Sequence, residues 1–350
     1  MSQRTFRCGY ATLIGQPNVG KSTLLNRLVG EKLAIVSPKP QTTRDQIRGI
    51  WTGADSQVIF LDTPGVHQAR SPLNRAMVGQ AIEALESVDV VILVIDGQEA
   101  AKWLERMGKR GSNQATGAEL PTLAPPPMEP DELEIGDRLE GKGDDKKVSI
   151  DDRIAPGDRR VIRQILRYSH RYLIAINKID RMAPRKILPI IAAYANAPQV
   201  GPIVPISART GDGIQALREA IRPWLPERAA EFEADELTDR SLRFLSAELL
   251  REQVFLQTRD EVPYGVACEI ELWEELPDLT HVKAIVHVEK QAQRGILVGK
   301  GGQTMKALAS AAREGMEQLT GRKVFLEVHV RVEPQWSERM EMLKQFGYVL

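Results

Sequence analysis

Four short stretches carry residue types whose spacing could do chemistry. The first is Gly15-Gln16-Pro17-Asn18-Val19-Gly20-Lys21-Ser22-Thr23, which fits G-x-x-x-x-G-K-[ST]. Glycines at 15 and 20 let the backbone wrap closely round a phosphate, with successive N–H groups pointing inward as a nest. Lys21 would set a cation on the outer phosphates, and Ser22 would offer a hydroxyl to Mg²⁺. The second is Asp62-Thr63-Pro64-Gly65. Here a carboxylate can reach Mg²⁺ through water, and the glycine N–H can meet a γ-phosphate. The third is Asn177-Lys178-Ile179-Asp180. An aspartate at its end can accept both N–H groups of a guanine edge, whereas adenine offers the wrong donor pattern. The fourth, Ser207-Ala208, can present a backbone N–H to the guanine oxygen. Between the first two lies Thr42-Thr43-Arg44, where one threonine would close over Mg²⁺ and the γ-phosphate as a switch. Thr43 is the preferred of the two, which makes the metal set Ser22, Thr43 and, through water, Asp62. Any one of these stretches could be an ordinary turn, and D-x-x-G alone is common. Their order along the chain, each after a strand, is what argues against coincidence.

The elements that must position these stretches can be read from periodicity. Residues 10–14 are an apolar run before the glycine turn, and 21–29 are helical, so the first motif is strand, turn, helix. The N-terminus of that helix adds its positive dipole end to the phosphate site. Residues 47–51 and 57–61 read as two strands joined by Gly53-Ala54-Asp55, a hairpin giving one antiparallel edge. A helix is expected over 74–87. Residues 88–95 are almost wholly apolar, the mark of a parallel strand buried on both faces. Helices over 159–168, 186–194 and 213–224 alternate with strands at 172–176 and 203–206. That alternation implies a doubly wound, mostly parallel α/β sheet, whose strand C-termini form the ligand edge.

The composition bounds the rest. The chain has 350 residues, 27% charged and 42% hydrophobic, with zero formal net charge, which suits a soluble protein of two or three domains. Any basic surface must therefore be local. Cys8 and Cys268 have no metal-like spacing and suggest a reduced compartment. No apolar run approaches the ~20 residues needed to span a bilayer. Residues 108–157 hold Ala124-Pro125-Pro126-Pro127, many glycines and mixed charge runs, and read as a disordered insertion. Its start, 102–110, is basic and a candidate short helix. Residues 227–236 are acidic and read as a linker, which divides the chain into 1–226 and 237–350.

The second unit has another grammar. A helix over 241–257 precedes strands at 264–273 and 281–289. Helices over 291–298 and 303–319 then flank Gly299-Lys300-Gly301-Gly302, and a third strand covers 323–332. A GXXG turn between two helices, after two strands and before a third, fits the loop with which KH domains clamp single-stranded RNA. Lys290, Arg294, Lys300 and Lys306 gather round it, although 237–350 holds slightly more acidic than basic side chains. Ile296, Leu297 and Val298 are candidates to line a base groove, or else core.

With the Gln41-Thr42-Thr43-Arg44 stretch and the C-terminal Trp336 and Phe346-Gly347-Tyr348, this arrangement closely resembles the Era family of ribosome-assembly GTPases. The resemblance covers nearly the whole chain except the segment near 108–157. It implies a P-loop GTPase domain followed by an α+β type II KH domain. It also implies binding of small-subunit (16S) ribosomal RNA near its 3′ end and service to 30S assembly. A cytoplasmic, monomeric protein with peripheral contact to the inner face of the membrane follows from the same resemblance. By that resemblance 15–23 hold phosphates and Mg²⁺, Asp62 and Gly65 belong to the second switch, and Asn177, Lys178 and Asp180 hold guanine. Residues 299–302 hold RNA.

Many GTPases carry a glutamine after the D-x-x-G glycine to orient water. Val66 stands there and cannot, so slow intrinsic turnover is expected. Asn18 is a candidate holder of K⁺, as in potassium-dependent relatives. The alternative function is an RNA-binding chaperone whose nucleotide site reports state without significant turnover. An ATP-dependent RNA remodeller is disfavoured by the guanine motif. His67 reads as a solvated loop residue, Trp336 as a packing anchor rather than a stacking platform, and the carboxylates over 269–278 as an exposed strand face and turn.

Overall fold

The computed structural model describes residues 5–37, 39, 47–62, 72–114, 149–168, 171–258, 262–346 and 348. Thr42, Thr43, Thr63, Pro64, Gly65, His67 and the centre of the insertion, 115–148, lie outside the described residues. The first unit runs β1 (Arg7–Ile14), α1 (Lys21–Val29), β2 (Ile47–Thr52), β3 (Ser56–Asp62), α2 (Pro72–Ser87), β4 (Val90–Asp96) and α3 (Gly97–Gln114). It continues with α4 (Pro156–Tyr168), β5 (Tyr172–Asn177), α5 (Ile187–Tyr194), β6 (Val200–Pro205) and α6 (Ile214–Ile221). The strands form one sheet in the order β2-β3-β1-β4-β5-β6. Every pairing is parallel except β2 with β3, the expected hairpin.

Burial on both faces explains the continuous apolar runs. In β4, Val90, Ile92 and Val94 join a core with Leu24, Leu25 and Leu28 of α1 and Leu217 and Ile221 of α6. Their neighbours Val91, Leu93 and Ile95 face the other way, against Val161, Ile162 and Ile165 of α4 and Ile190 of α5. Each such side chain contributes about 1.5–3 kcal/mol on removal from water. The register carries Leu13 beside Asp62 and Asp96 beside Asn177, so the motif-bearing loops leave the sheet at one edge.

One boundary read from composition needs correction. The segment 108–157 is ordered at both ends. The helix α3 extends to Gln114, and Ile150 and Ile154 are buried in the core beneath α4. Trp103 of α3 donates its indole N–H to the Asp152 carbonyl at 3.0 Å. A window average weighted by glycine and charge hides an amphipathic helix with Ala100, Ala101 and Leu104 inward, and hides two isolated isoleucines. The acidic stretch 227–236, read as a linker, is fastened to the first unit. Gln57, fully buried, accepts from the Glu231 and Phe232 N–H groups (2.8 and 3.0 Å) and donates to the Phe232 carbonyl (2.8 Å). Its side-chain amide holds the backbone of 231–232 as a strap, and Tyr10 with Glu231 and Arg228 with Asp89 fasten the same strap.

The second unit comprises α7 (Leu242–Gln257), β7 (Val266–Glu275), β8 (Thr280–Val288), α8 (Gln291–Val298), α9 (Gln303–Thr320), β9 (Val324–Val332) and α10 (Met340–Gln345). Ser241 caps α7 by accepting from the Phe244 N–H at 3.3 Å. The sheet order is β7-β8-β9, antiparallel then parallel. Leu250, Val254, Leu308, Ala312 and Met316 cover one face of the sheet. Trp336 is fully buried and donates to the Gly265 carbonyl at 3.1 Å, so it is a packing anchor. It shares a cluster with Leu343, Tyr348 and Leu73 of α2, which joins the two units. A second joint lies at Glu252, whose buried carboxylate takes Lys32 at 2.5 Å and the Val36 N–H at 3.1 Å.

Candidate nucleotide and RNA sites

The phosphate loop is shaped by what its glycines exclude. A Cβ at Gly15 would stand 2.2 Å from the Val94 carbonyl. Gly20 has φ 101°, and a Cβ there would stand 2.4 Å from Asn177 Nδ2. Neither position admits a side chain, which is the physical content of the spacing. Gly20 is also the N-cap of α1, so the first N–H groups of that helix open onto the loop.

Lys21 is buried and donates to the Gly15 and Gln16 carbonyls at 3.0 and 3.1 Å. Burial pulls its pKa down to about 8, against the opposing pull of Asp62. Ser22 Oγ donates to Asp62 Oδ2 at 3.0 Å, and Asp62 is fully buried at the end of β3. A hydroxyl and a carboxylate oxygen side by side at the head of the loop form a hard-oxygen pair that fits Mg²⁺. Among the described residues no group of three or more His, Cys, Asp or Glu could hold a metal.

The guanine motif locks onto the phosphate loop from β5. Asn177 donates to the Val19 carbonyl at 2.8 Å and accepts from the Lys178 and Ala208 N–H groups at 2.8 and 3.0 Å. The Ala208 N–H, expected to face a guanine oxygen, is thus committed to Asn177. Lys178, at φ 66°, donates to the Asn18 carbonyl and to Asp96 Oδ2, both at 2.6 Å. Asn18 is itself left-handed, at φ 60°. Asp180 accepts from Ser207 Oγ at 2.7 Å and from Arg209 at 2.6 Å. Burial pushes its pKa up, but the Ser207 hydroxyl and the Arg209 cation outweigh it and hold the carboxyl below the usual range. Sequence reasoning missed Asp96 and Arg209. Asp96 was accessible to it as the last residue of the buried β4 run, whereas nothing in sequence separates Arg209 from any loop arginine.

The glycine turn of the second unit joins α8 to α9. Gly299, Gly301 and Gly302 have φ of 71°, 60° and 78°, and a Cβ on Gly299 would meet Thr304 Oγ1 at 2.1 Å. Gly302 is the N-cap of α9. Lys290, Arg294, Lys300 and Lys306 are all exposed around this turn. Of the three groove candidates, Ile296 is 51% exposed and Leu297 is fully buried in the core. Of the two alternatives Leu297 takes the core, because α8 turns that side toward β8 and α9. Glu269, one of the strand carboxylates, meets His287 at 3.1 Å instead of the glycine turn.

Family models match twice, one described as a 50S ribosome-binding GTPase over residues 10–118 and one as a KH domain over 261–337. Among curated relatives, the GTPase Era of Geobacter metallireducens is 41% identical, with 99% of this chain and 100% of the relative covered. The GTPase Era of a Nostoc strain is 38% identical, with 98% and 90% covered. Two solved structures are similar over 99% of this chain and 100% of theirs, each at 32% identity. One, with TM-score 0.79, is an Aquifex aeolicus Era variant bound to GDP and AlF₄⁻. The other, with TM-score 0.80, is an Era in complex with MgGDPNP and nucleotides 1506–1542 of 16S ribosomal RNA.

Proposed function

Because this chain belongs to the Era family of GTPases, we propose that its two units act as one GTP-timed RNA clamp. The protein binds and hydrolyses GTP, binds small-subunit ribosomal RNA through its KH domain, and serves ribosome assembly. One observation carries the residue-level reading: Asn177 and Lys178 hold the phosphate loop by the carbonyls of Val19 and Asn18. The base-reading loop and the phosphate loop are thereby a single bonded unit.

In this reading the backbone N–H groups of 15–23 cradle the phosphates. Lys21, stripped of water, sets an unscreened cation against charge developing on the transferred group. Ser22 and Asp62 would hold Mg²⁺, which would supply positive charge to offset that of the phosphates. Thr42 or Thr43 would close the first switch, and 62–65 would form the second. Asp180 reads the guanine edge, with Ser207 and Ala208 shaping the base pocket through Asp180 and Asn177. Residues 299–302 clamp the RNA backbone, with Lys300 on phosphate. We assign residues 1–226 to the GTPase domain and 237–350 to the KH domain, with 227–236 strapped between them.

K⁺ at Asn18, action as a monomer, a cytoplasmic place of work and a peripheral contact with the inner face of the membrane complete the proposal, supported by the family resemblance. Among the described residues no helix is long and apolar enough to cross a membrane. The test is GTP turnover with and without RNA carrying the 3′ end of 16S ribosomal RNA. Slow basal turnover that rises on addition of this RNA is the expected result. Absence of turnover in both conditions would overturn it.

A further inference from the structure

The phosphate loop has a second anchor, on α4. Gln16, the second residue of the loop, donates from Nε2 to Asp158 Oδ1 at 2.6 Å. Asp158 is 2% exposed, in the first turn of α4. Its other oxygen accepts from the Tyr194 hydroxyl of α5 at 2.5 Å. The Gln16 amide lies directly over Gly157, where a Cβ would stand 2.0 Å from its Oε1. The two donors take one oxygen each of the carboxylate, and among the described residues no cation pairs with it. Burying such a group costs stability unless the bonds it makes are needed in place.

We infer that Asp158 is a positioning residue for nucleotide binding, which fixes the entry of the phosphate loop by holding the side chain of Gln16. The Gln16 carbonyl is one of the two that receive Lys21 Nζ. Asp158 therefore acts on the phosphate-binding cation through one residue. Asn18 and Val19 are held by Lys178 and Asn177, so Gln16, Asn18 and Val19 are each pinned by a side chain more than 100 positions away. A loop held in its binding shape before the ligand arrives loses less freedom on binding. Because Gln16 also receives Lys21 through its carbonyl, the role of the pair is read in nucleotide retention.

The inference rests on the assignment of 15–23 to GTP, and release of mant-GDP from the wild type checks that assignment separately. The test is the mant-GDP dissociation rate, with melting temperature, for Gln16→Ala, Asp158→Ala, Asp158→Asn, Gly157→Ala and the Gln16→Ala/Asp158→Ala double variant. Loss of one hydrogen bond to a charged acceptor should speed release about tenfold in each alanine variant at 16 and 158. The double variant should be no faster than either single one. Asp158→Asn keeps an oxygen for Gln16 and should recover most of the loss. Gly157→Ala improves helix propensity yet displaces the Gln16 amide, so it should speed release without lowering the melting temperature. A purely structural Asp158 would move melting temperatures alone. Wild-type release rates in Gln16→Ala and Gly157→Ala, or single effects that multiply in the double variant, would overturn the inference.

Discussion

Asp180→Asn should change which base the protein retains. In the native site the carboxylate is 8% exposed and ionised, with Ser207 on Oδ1 and Arg209 on Oδ2. Arg209 is 64% exposed, so releasing it to admit a base costs little. Guanine then offers two N–H donors to a carboxylate fork. Each bond to a charged acceptor contributes about 1.5–3 kcal/mol, or about 3–6 kcal/mol together. That corresponds to roughly 10²–10⁴-fold in affinity. In the variant one oxygen remains, and the Ser207 and Arg209 donors both compete for it. The amide NH₂ is left toward the base, where it meets a donor of guanine but would match a carbonyl of xanthine. GDP affinity should fall within that range and XDP should become the preferred ligand. Competition against mant-GDP reads both, with circular dichroism melting to show that the fold persists. A variant that binds GDP within tenfold of wild type, or that gains nothing for XDP, would refute the assignment of Asp180.

Lys21→Met should abolish GTP binding and yet stabilise the nucleotide-free protein. A folded pKa of about 8 against 10.5 means the folded state holds its proton more weakly, which costs about 3 kcal/mol below pH 8 and vanishes as pH rises to 10.5. Thermal melts at pH 7 and pH 10 should show the variant's advantage shrink; an unchanged difference would contradict the burial argument. Intrinsic GTP hydrolysis should be slow, since Val66 cannot orient water, and should depend on K⁺ through Asn18. Equal turnover in K⁺ and Na⁺ removes the cation, and fast turnover of the isolated protein removes the wider claim. Lys300→Asp with Gly301→Asp should abolish binding of single-stranded RNA, which should otherwise weaken with salt, while GDP binding persists. Undiminished binding in a filter assay would rule out the glycine turn as the clamp. Deleting 115–148 should leave GDP affinity nearly unchanged, because closure entropy varies only slowly with loop length; a loss above tenfold would place that segment against the nucleotide domain.

What the sequence by itself determined lies within spans short enough for local geometry to write them. Gly15 and Gly20 are legible because a strand, a tight turn and a helix impose their spacing within a few residues. The apolar run of β4 is legible because a strand buried on both faces leaves no polar position. The KH unit is legible from its element order and from three glycines that all need positive φ. Tertiary structure alone decided the contacts that depend on register between distant strands. Lys178 finds Asp96 because β4 and β5 end level with one another. Gln57 meets the backbone of 231–232 because its side-chain amide leaves an interior strand, paired on both sides, toward the segment that joins the two units. Leu73 enters the Trp336 cluster only once both units are folded. Gln16 and Asp158 stand 142 residues apart, with the insertion between them. Periodicity reports which face of an element is buried; it carries nothing about which polar atom waits across the sheet, since that is fixed by the handed crossovers and by the register of the whole fold.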